Sequence, residues 1–181
     1  EGYRNCEGAV VAQCRDMLER QIRAQGRTAD DLFDAAQNAR VVESAERYYR
    51  VMYYGGAQAW NLRDRHMFET LRRILEARGR GSKAVVWAHN AHIGDARHTE
   101  MGAVRDEVNI GQLARETFGQ EAALIGFGTH SGTVAAASDW DLPMQVMRVN
   151  PSYPGSYESV CHAAADRSVH PRFLVDLGAP R

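Results

Sequence analysis

Two histidines spaced three residues apart are the sharpest chemical signal in the sequence. His89 and His92 follow directly after an apolar run, with Asn90 and Asp95 beside them. Adjacent imidazoles can act as general acid and base, hold a substrate oxygen or share a metal ion. The alternative is structural, with one ring capping the turn and the other exposed. The pairing at the end of an apolar run favours a functional role for both histidines.

A metal centre at the two histidines is supported less well. Catalytic zinc usually has three protein ligands, so a further ligand would be needed. Asp95 and His98 are the nearest candidates, but their spacing matches no established metal-binding pattern. The sequence therefore leaves metal use open, and it predicts no organic cofactor.

A second polar cluster, at 61–67, lies at the start of a predicted helix. Asn61 is a candidate N-cap, and Asp64 three residues later stands in the position of a capping box. Arg63 and Arg65 could hold a carboxylate or stabilise developing negative charge, because guanidinium offers a fixed fork of donors. The spacing alone favours the structural interpretation, in which Asp64 caps the helix and the arginines are solvated.

Other polar residues give weaker signals. The glycines at 126, 128 and 132 do not spell a dinucleotide-binding fingerprint, and the segment after them is predicted as a strand. Ser131 and Ser156 lack the surroundings of a nucleophile elbow. His162 lies on a predicted short helix, where a structural role is expected. The sequence thus predicts neither a phosphate cradle nor a serine-hydrolase triad.

The composition excludes several classes of protein. The 181 residues carry 22 Lys+Arg and 23 Asp+Glu, and the net charge of −1 excludes an ordinary basic nucleic-acid binder. No apolar run reaches the roughly 18 residues that are needed to span a bilayer. The three cysteines form no CxxC pair, which favours reduced thiols and a cytoplasmic location.

The first 58 residues are predicted as a helical segment. Apolar residues recur at spacings of three and four over 10–22 and again over 41–52. A new helix start is indicated near Thr28, and Gly55-Gly56 indicates a stop. This part of the chain is therefore expected to be a set of amphipathic helices.

Residues 59–181 are predicted as an α/β core that carries the loop with His89 and His92. The run 84–88 is apolar on both faces, as a central parallel strand should be. The other predicted elements are helices at 61–79, from Asn109 and at 156–165, and strands at 122–127, 133–137, 144–149 and 173–175. The fold class is therefore α/β, a mixed and mostly parallel sheet with helices, preceded by a long helical segment. Because the strands are few and the chain begins without Met, we expect an incomplete piece of a larger α/β hydrolase-like domain.

A series of short motifs occurs in a fixed order over residues 40–178. The motifs are NLRDRHM at 61–67, VVWAHNAH at 85–92, MG at 101–102, NIGQL at 109–113, IGFGT at 125–129, GTVAA at 132–136, PGSYE at 154–158 and FLVDL at 173–177. The ordered set resembles the erythromycin esterase family, which also includes proteins labelled as succinoglycan-biosynthesis proteins. The resemblance implies an α/β core with a helical insertion. It also implies hydrolysis of the lactone ester of macrolide antibiotics by water that a histidine with acidic neighbours activates.

The resemblance assigns roles to four residues. His89 and His92 match the family's paired active-site histidines, and Arg63 and Asp64 match its arginine–acid pair at a helix start. The family's Gly-Glu…His-Gly stretch, which supplies the water-activating histidine and a carboxylate, does not occur in the sequence. We therefore expect a C-terminal portion whose partners are a small-molecule ester or lactone and the N-terminal part of the same polypeptide. No nucleic acid or membrane partner is expected.

Two classes of function remain open. The first is the C-terminal portion of an erythromycin-esterase-like hydrolase, which has little activity alone because the general base lies elsewhere. The alternative is a non-hydrolytic small-molecule-binding protein or a polysaccharide-biosynthesis accessory protein. A histidine–carboxylate hydrogen bond would favour the enzyme, whereas an exposed His89 without an acidic partner would favour the binding protein. A fragment without a stable fold, which would associate through exposed apolar faces, is a third possibility.

Overall fold

The computed structural model describes residues 8–9, 12–14, 16, 20, 28–139, 141–165, 172 and 174–178. These residues belong to two compact units, Glu1–Gly126 and Phe127–Arg181, and each unit is described by itself. The domain boundary predicted at residue 58 stays a prediction. Most of the predicted helix over 10–22 lies outside the described residues.

Two long helices form the larger part of the first unit. Helix α1 spans Ala29–Met52 and helix α2 spans Ala57–Arg78, and the two pack against each other. Thr28 begins α1 with a capping box, because its hydroxyl accepts from the Asp31 amide and the Asp31 carboxylate accepts from the Thr28 amide. Gly55 and Gly56 form the turn with φ angles of 66° and 78°. The helix start predicted near Thr28 and the helical spacing over 41–52 are confirmed. The helix predicted over 61–79 is confirmed as well, but it begins at Ala57, earlier than expected.

Short helices complete the first unit. They are α3 (Asn90–Ile93), a 3₁₀ turn (Ala96–His98), α4 (Glu100–Ala103), α5 (Ile110–Phe118) and a second 3₁₀ turn (Gly119–Glu121). The side chain of Asn109 accepts from the amide of Gln112, which confirms the predicted cap of α5. The buried apolar residues include Phe68 of α2 and Ile110 of α5, so the core lies where these helices meet.

Glycine at two positions allows backbone segments to approach closely. A Cβ atom on Gly111 would lie 2.2 Å from the carbonyl oxygens of both Ile93 and Gly94. A Cβ atom on Gly102 would lie 2.2 Å from the carbonyl oxygen of Ala96. The first turn of α5 therefore rests on the end of α3 with no room for any side chain between them.

The sheet differs from the prediction. Strands β1 (Gly132–Ala136) and β2 (Gln145–Val149) pair antiparallel, with Val134 opposite Met147, and this is the sole sheet in the described part of the chain. The strands predicted at 133–137 and 144–149 are therefore confirmed, and they pair with each other. The prediction of a mostly parallel sheet is wrong.

The runs predicted as buried strands, 84–88 and 122–127, have no strand partner among the described residues. Val85 is 92% exposed and Trp87 is 85% exposed. An apolar run satisfies the side-chain requirement of a buried strand, but the strand itself forms only where neighbouring backbone supplies hydrogen bonds. This requirement for a partner is what the residue pattern did not reveal.

Helix α6 (Tyr157–Ala165) confirms the short helix predicted in the second unit. Leu174 and Val175 are not in a strand, and Phe173 of the same predicted element lies outside the described residues. Within the ranges described above, every helix is too short or too polar to cross a membrane.

We predict that Gly111→Ala lowers the free energy of unfolding by about 1–3 kcal/mol, because the added methyl group collides with two carbonyl oxygens. Helix propensity alone would favour alanine by roughly 0.5–1 kcal/mol, so a loss of stability isolates the packing effect. Gly126→Ala is the control, since its nearest neighbour would lie at 3.8 Å. Urea denaturation of both variants measures the difference, and equal midpoints would contradict the close approach.

Candidate functional site

A buried carboxylate and a partly exposed imidazole form the centre of the site. Both carboxylate oxygens of Asp64 lie 2.9 Å from Nδ1 of His92. The Asp64 side chain is 0% exposed and that of His92 is 20% exposed. Because an ionised carboxylate only accepts, the contact assigns the proton of neutral His92 to Nδ1 and leaves a lone pair on Nε2.

Asp64 joins three elements at one point. It lies on α2, its hydrogen-bond partner His92 lies on α3, and the backbone amide of Ile110 at the start of α5 donates to its Oδ2 at 3.3 Å. The positive end of α5 therefore faces the carboxylate. These partners compensate the loss of water around a fully buried acid.

The helix start predicted at Asn61 is wrong, and so is the capping role of Asp64. Helix α2 begins at Ala57 after Gly56, which makes no side-chain cap. The side-chain nitrogen of Asn61 instead donates to the backbone carbonyl of Asp106 at 2.9 Å, and its side-chain oxygen accepts from the backbone amide of Val108 at 2.7 Å. Asparagine often caps a helix, but here the side chain of Asn61 forms its hydrogen bonds with the backbone of the loop before α5. A distant backbone group and a local helix start can compete for the same side chain.

Trp60 is a site residue that the sequence reasoning missed. Its ring stacks on the imidazole of His92, with centroids 4.7 Å apart and planes inclined by 4°. Its indole N–H donates to the carbonyl of Val108 at 2.8 Å, which fixes the ring in place. Trp60 precedes Asp64 by four residues, so the helical spacing that puts both on one face was a signal that could have found it.

Arg63 contacts the same indole. Its guanidinium carbon lies 4.9 Å from the centroid of Trp60 and 6.0 Å from that of Tyr48. Among the described residues, no carboxylate forms an ion pair with Arg63, although it is half-buried. The structure thus relates Arg63 to His92 through the indole ring of Trp60.

His89 has different surroundings from His92. It is exposed and stands at the N-cap of α3, where its Nδ1 accepts from the amide of Ala91 at 3.1 Å. Neutral His89 therefore carries its proton on Nε2, so this nitrogen can donate a hydrogen bond but cannot accept one. Within residues 28–139, no carboxylate pairs with His89. The structural alternative for the two histidines was that one ring caps the turn and the other is exposed. His89 both caps the turn and is exposed.

The further metal-ligand candidates do not join the histidines. The Asp95 carboxylate accepts from Nε of Arg97 at 2.9 Å and from its Nη2 at 2.6 Å, and this bond lowers the pKa of Asp95. His98 is exposed. In the part of the chain that the structure describes, no group of three or more His, Cys, Asp or Glu side chains is arranged to hold a metal ion.

The second unit contains a separate pair of histidines. The rings of His130 and His162 stack with centroids 3.7 Å apart and planes inclined by 7°. Nδ1 of His130 lies 2.7 Å from the hydroxyl of Ser152. His162, for which a structural role was expected, is therefore part of a ring stack on α6.

A buried acid that orients a histidine with a free acceptor nitrogen is an arrangement found in hydrolases and at metal sites. Comparison with known families agrees with the first of these classes. The model of the erythromycin esterase family matches residues 1–181, and the chain belongs to that family. No solved structure matches the chain. Membership suggests a hydrolase-like function, and the match is longer than the 40–178 range of the motifs.

We predict that Asp64→Asn lowers the free energy of unfolding by about 1–3 kcal/mol, because the neutral amide weakens the bonds to His92 and to Ile110. Nitrogen NMR of His92 should also show loss of the pure Nδ1–H tautomer. Glu69→Gln on the same helix is the control, since its partly exposed pairs with Arg72 and Arg73 are worth about 0–1 kcal/mol. An unchanged His92 tautomer in the Asp64 variant would contradict the assignment.

His66 on α2 generates a pH prediction. Burial, followed by the charge of Arg73, lowers its pKa, whereas Glu43 raises it. The unfolded chain therefore binds more protons below the ordinary histidine pKa of about 6.5, and stability falls as the pH drops through that value. We expect His66→Gln to flatten this part of the stability profile in urea titrations between neutral and mildly acidic pH. An unchanged slope in the His66 variant would contradict the prediction.

Proposed function

We propose that this chain is part of a hydrolase that cleaves a carboxylic ester or a macrolide lactone with activated water. The observation that carries the proposal is the hydrogen bond between buried Asp64 and His92. It leaves Nε2 of His92 as a proton acceptor, and the negative carboxylate stabilises the imidazolium that forms when that nitrogen takes a proton.

The reaction can be written with the residues of this chain. A water molecule attacks the acyl carbon, and its proton passes to Nε2 of His92. The tetrahedral intermediate then expels the alkoxide as the acyl C–O bond breaks, and the alkoxide takes the proton from His92. The products are a carboxylic acid and an alcohol, which remain one molecule when the substrate is a lactone.

His89 and Arg63 have supporting roles in this proposal. The Nε2–H of exposed His89 would donate to the substrate carbonyl oxygen, whose negative charge grows in the transition state. The guanidinium of Arg63 would act at longer range, because it contacts Trp60 rather than the acceptor nitrogen. The family resemblance further implies a histidine and a carboxylate from the Gly-Glu…His-Gly stretch, and we propose that this stretch shares the handling of the water proton.

A non-hydrolytic binding protein is the second candidate function. The exposed His89 without a carboxylate partner among the described residues supports it, because such an imidazole can act as an unassisted ligand. The Asp64–His92 bond supports the hydrolase instead, since a binding site gains little from an imidazole poised to accept a proton.

We predict little turnover of an activated aryl ester or of erythromycin by residues 1–181 alone. In a polypeptide that also carries the Gly-Glu…His-Gly stretch, His92→Asn should lower kcat by about 10²–10⁴-fold, the usual effect of losing a base. His98→Asn, at an exposed position, is the matched control. Release of the carboxylic acid measures the rate. Full activity of the His92 variant would refute its role, and tight substrate binding without turnover would support the binding protein.

A further inference from the structure

A groove lies between α1 and α2, and Arg63 is the one residue of its lining that the proposed reaction uses. Its volume is about 180 Å³. The residues that line it are Val41, Ser44, Ala45, Tyr48, Tyr49, Arg63 and His66. The wall from α1 is largely apolar, and the two basic side chains come from α2. A volume below the roughly 300–1,000 Å³ of drug-sized pockets suits a single ring or a short acyl chain.

Arg63 gives this groove an uncompensated positive charge. Several other arginines of the two helices are paired, among them Arg47 with Glu43 and Arg72 with Glu69 and Glu76. Arg63 has no such pair among the described residues, and its guanidinium lies instead over the rings of Tyr48 and Trp60. A guanidinium in a cation–π contact can still present N–H groups to a carboxylate.

His66 adds a polar group without adding a second charge. Burial lowers its pKa, so the neutral imidazole predominates at pH 7. The acid that raises its pKa, Glu43, is itself paired with Arg47 at 3.2 Å. The groove therefore presents one cation beside an apolar wall, which matches a monoanion better than a phosphate dianion.

We propose that the α1–α2 groove binds a small organic carboxylate with an apolar body of about the size of benzoate. The carboxylate lies against the edge of the Arg63 guanidinium, and the apolar body lies against Val41, Ala45 and Tyr49. The proposal does not depend on the hydrolase function, because binding can be measured without any turnover.

Trp60 provides the readout for this site. Its indole contacts Arg63, so a carboxylate that neutralises the guanidinium changes the electrostatic field at the ring. The chain contains two more tryptophans, Trp87 and Trp140, and replacing both with phenylalanine leaves Trp60 as the single fluorophore. NMR shifts of the Arg63 side-chain Nε–H give an independent measurement.

The experiment titrates this reporter protein with benzoate, benzyl alcohol and inorganic phosphate. We expect saturable binding of benzoate below about 10 mM, and at least about tenfold weaker binding of benzyl alcohol and phosphate. Arg63→Gln should weaken benzoate binding by about tenfold or more, whereas Arg65→Gln, an exposed arginine on the same helix, should leave it unchanged. Ser44→Leu, which fills the groove, should abolish binding while Arg63 is still present.

The outcomes separate the possibilities. Equal binding of benzyl alcohol would show an apolar groove without charge recognition, and stronger binding of phosphate would show a different anion class. Benzoate binding that survives both Arg63→Gln and Ser44→Leu would place the ligand elsewhere. Any of these results, or no saturable binding in the reporter protein, overturns the proposal. Circular dichroism of each variant checks its fold, and the Ser44 variant decides the outcome if the Arg63 variant does not fold.

Discussion

The constraint on which the first unit depends is the burial of one carboxylate. Asp64 has no exposed surface, and an isolated charge in such a place would cost several kcal/mol. The fold compensates this cost with the imidazole of His92 and the amide of Ile110. Because these partners come from separate elements, satisfying the acid also determines where α3 and the start of α5 lie against α2.

The surrounding hydrogen bonds serve the same geometry. Asn61 and Trp60, both on α2, bind the backbone of the loop that leads into α5. Asn109, which is also buried, caps α5 and donates to the carbonyl of Ala91 at 2.8 Å. The segment that carries His92 is thus bound to α5 as well as to α2. A ring held in this way loses little orientational freedom when it reacts, which is a property expected of a catalytic group.

Helices were the most predictable part of the structure. The apolar spacing in α1 and α2 and the cap at Asn109 are local signals, and the structure confirms them. The capping roles of Asn61 and Asp64 could not be predicted correctly, because the polar groups that satisfy a helix start also satisfy a distant loop or imidazole. The parallel strand at 84–88 failed for a related reason. Its apolar pattern is local, but its hydrogen-bonding partners are not.

The sequence allowed us to name candidate site residues, but it predicted only part of how they contact one another. The sequence pointed to His89, His92, Arg63 and Asp64, while their catalytic roles stay a proposal. What it lacked was the indole of Trp60 and the direct bond between Asp64 and His92, which require the helix face of α2 to meet the loop after residue 88. Two residues 28 positions apart in the chain give no local sign that they are in contact.

The unequal exposure of the two imidazoles has a consequence for chemical labelling. His89 stands open to solvent, whereas His92 is shielded by an indole on one face and by a carboxylate at one nitrogen. A bulky electrophile would therefore acylate the first ring long before the second, and the order would be decided by access rather than by nucleophilicity. If activity is lost only after His92 is modified, and not when His89 is modified, then His92 is the required ring and His89 only assists.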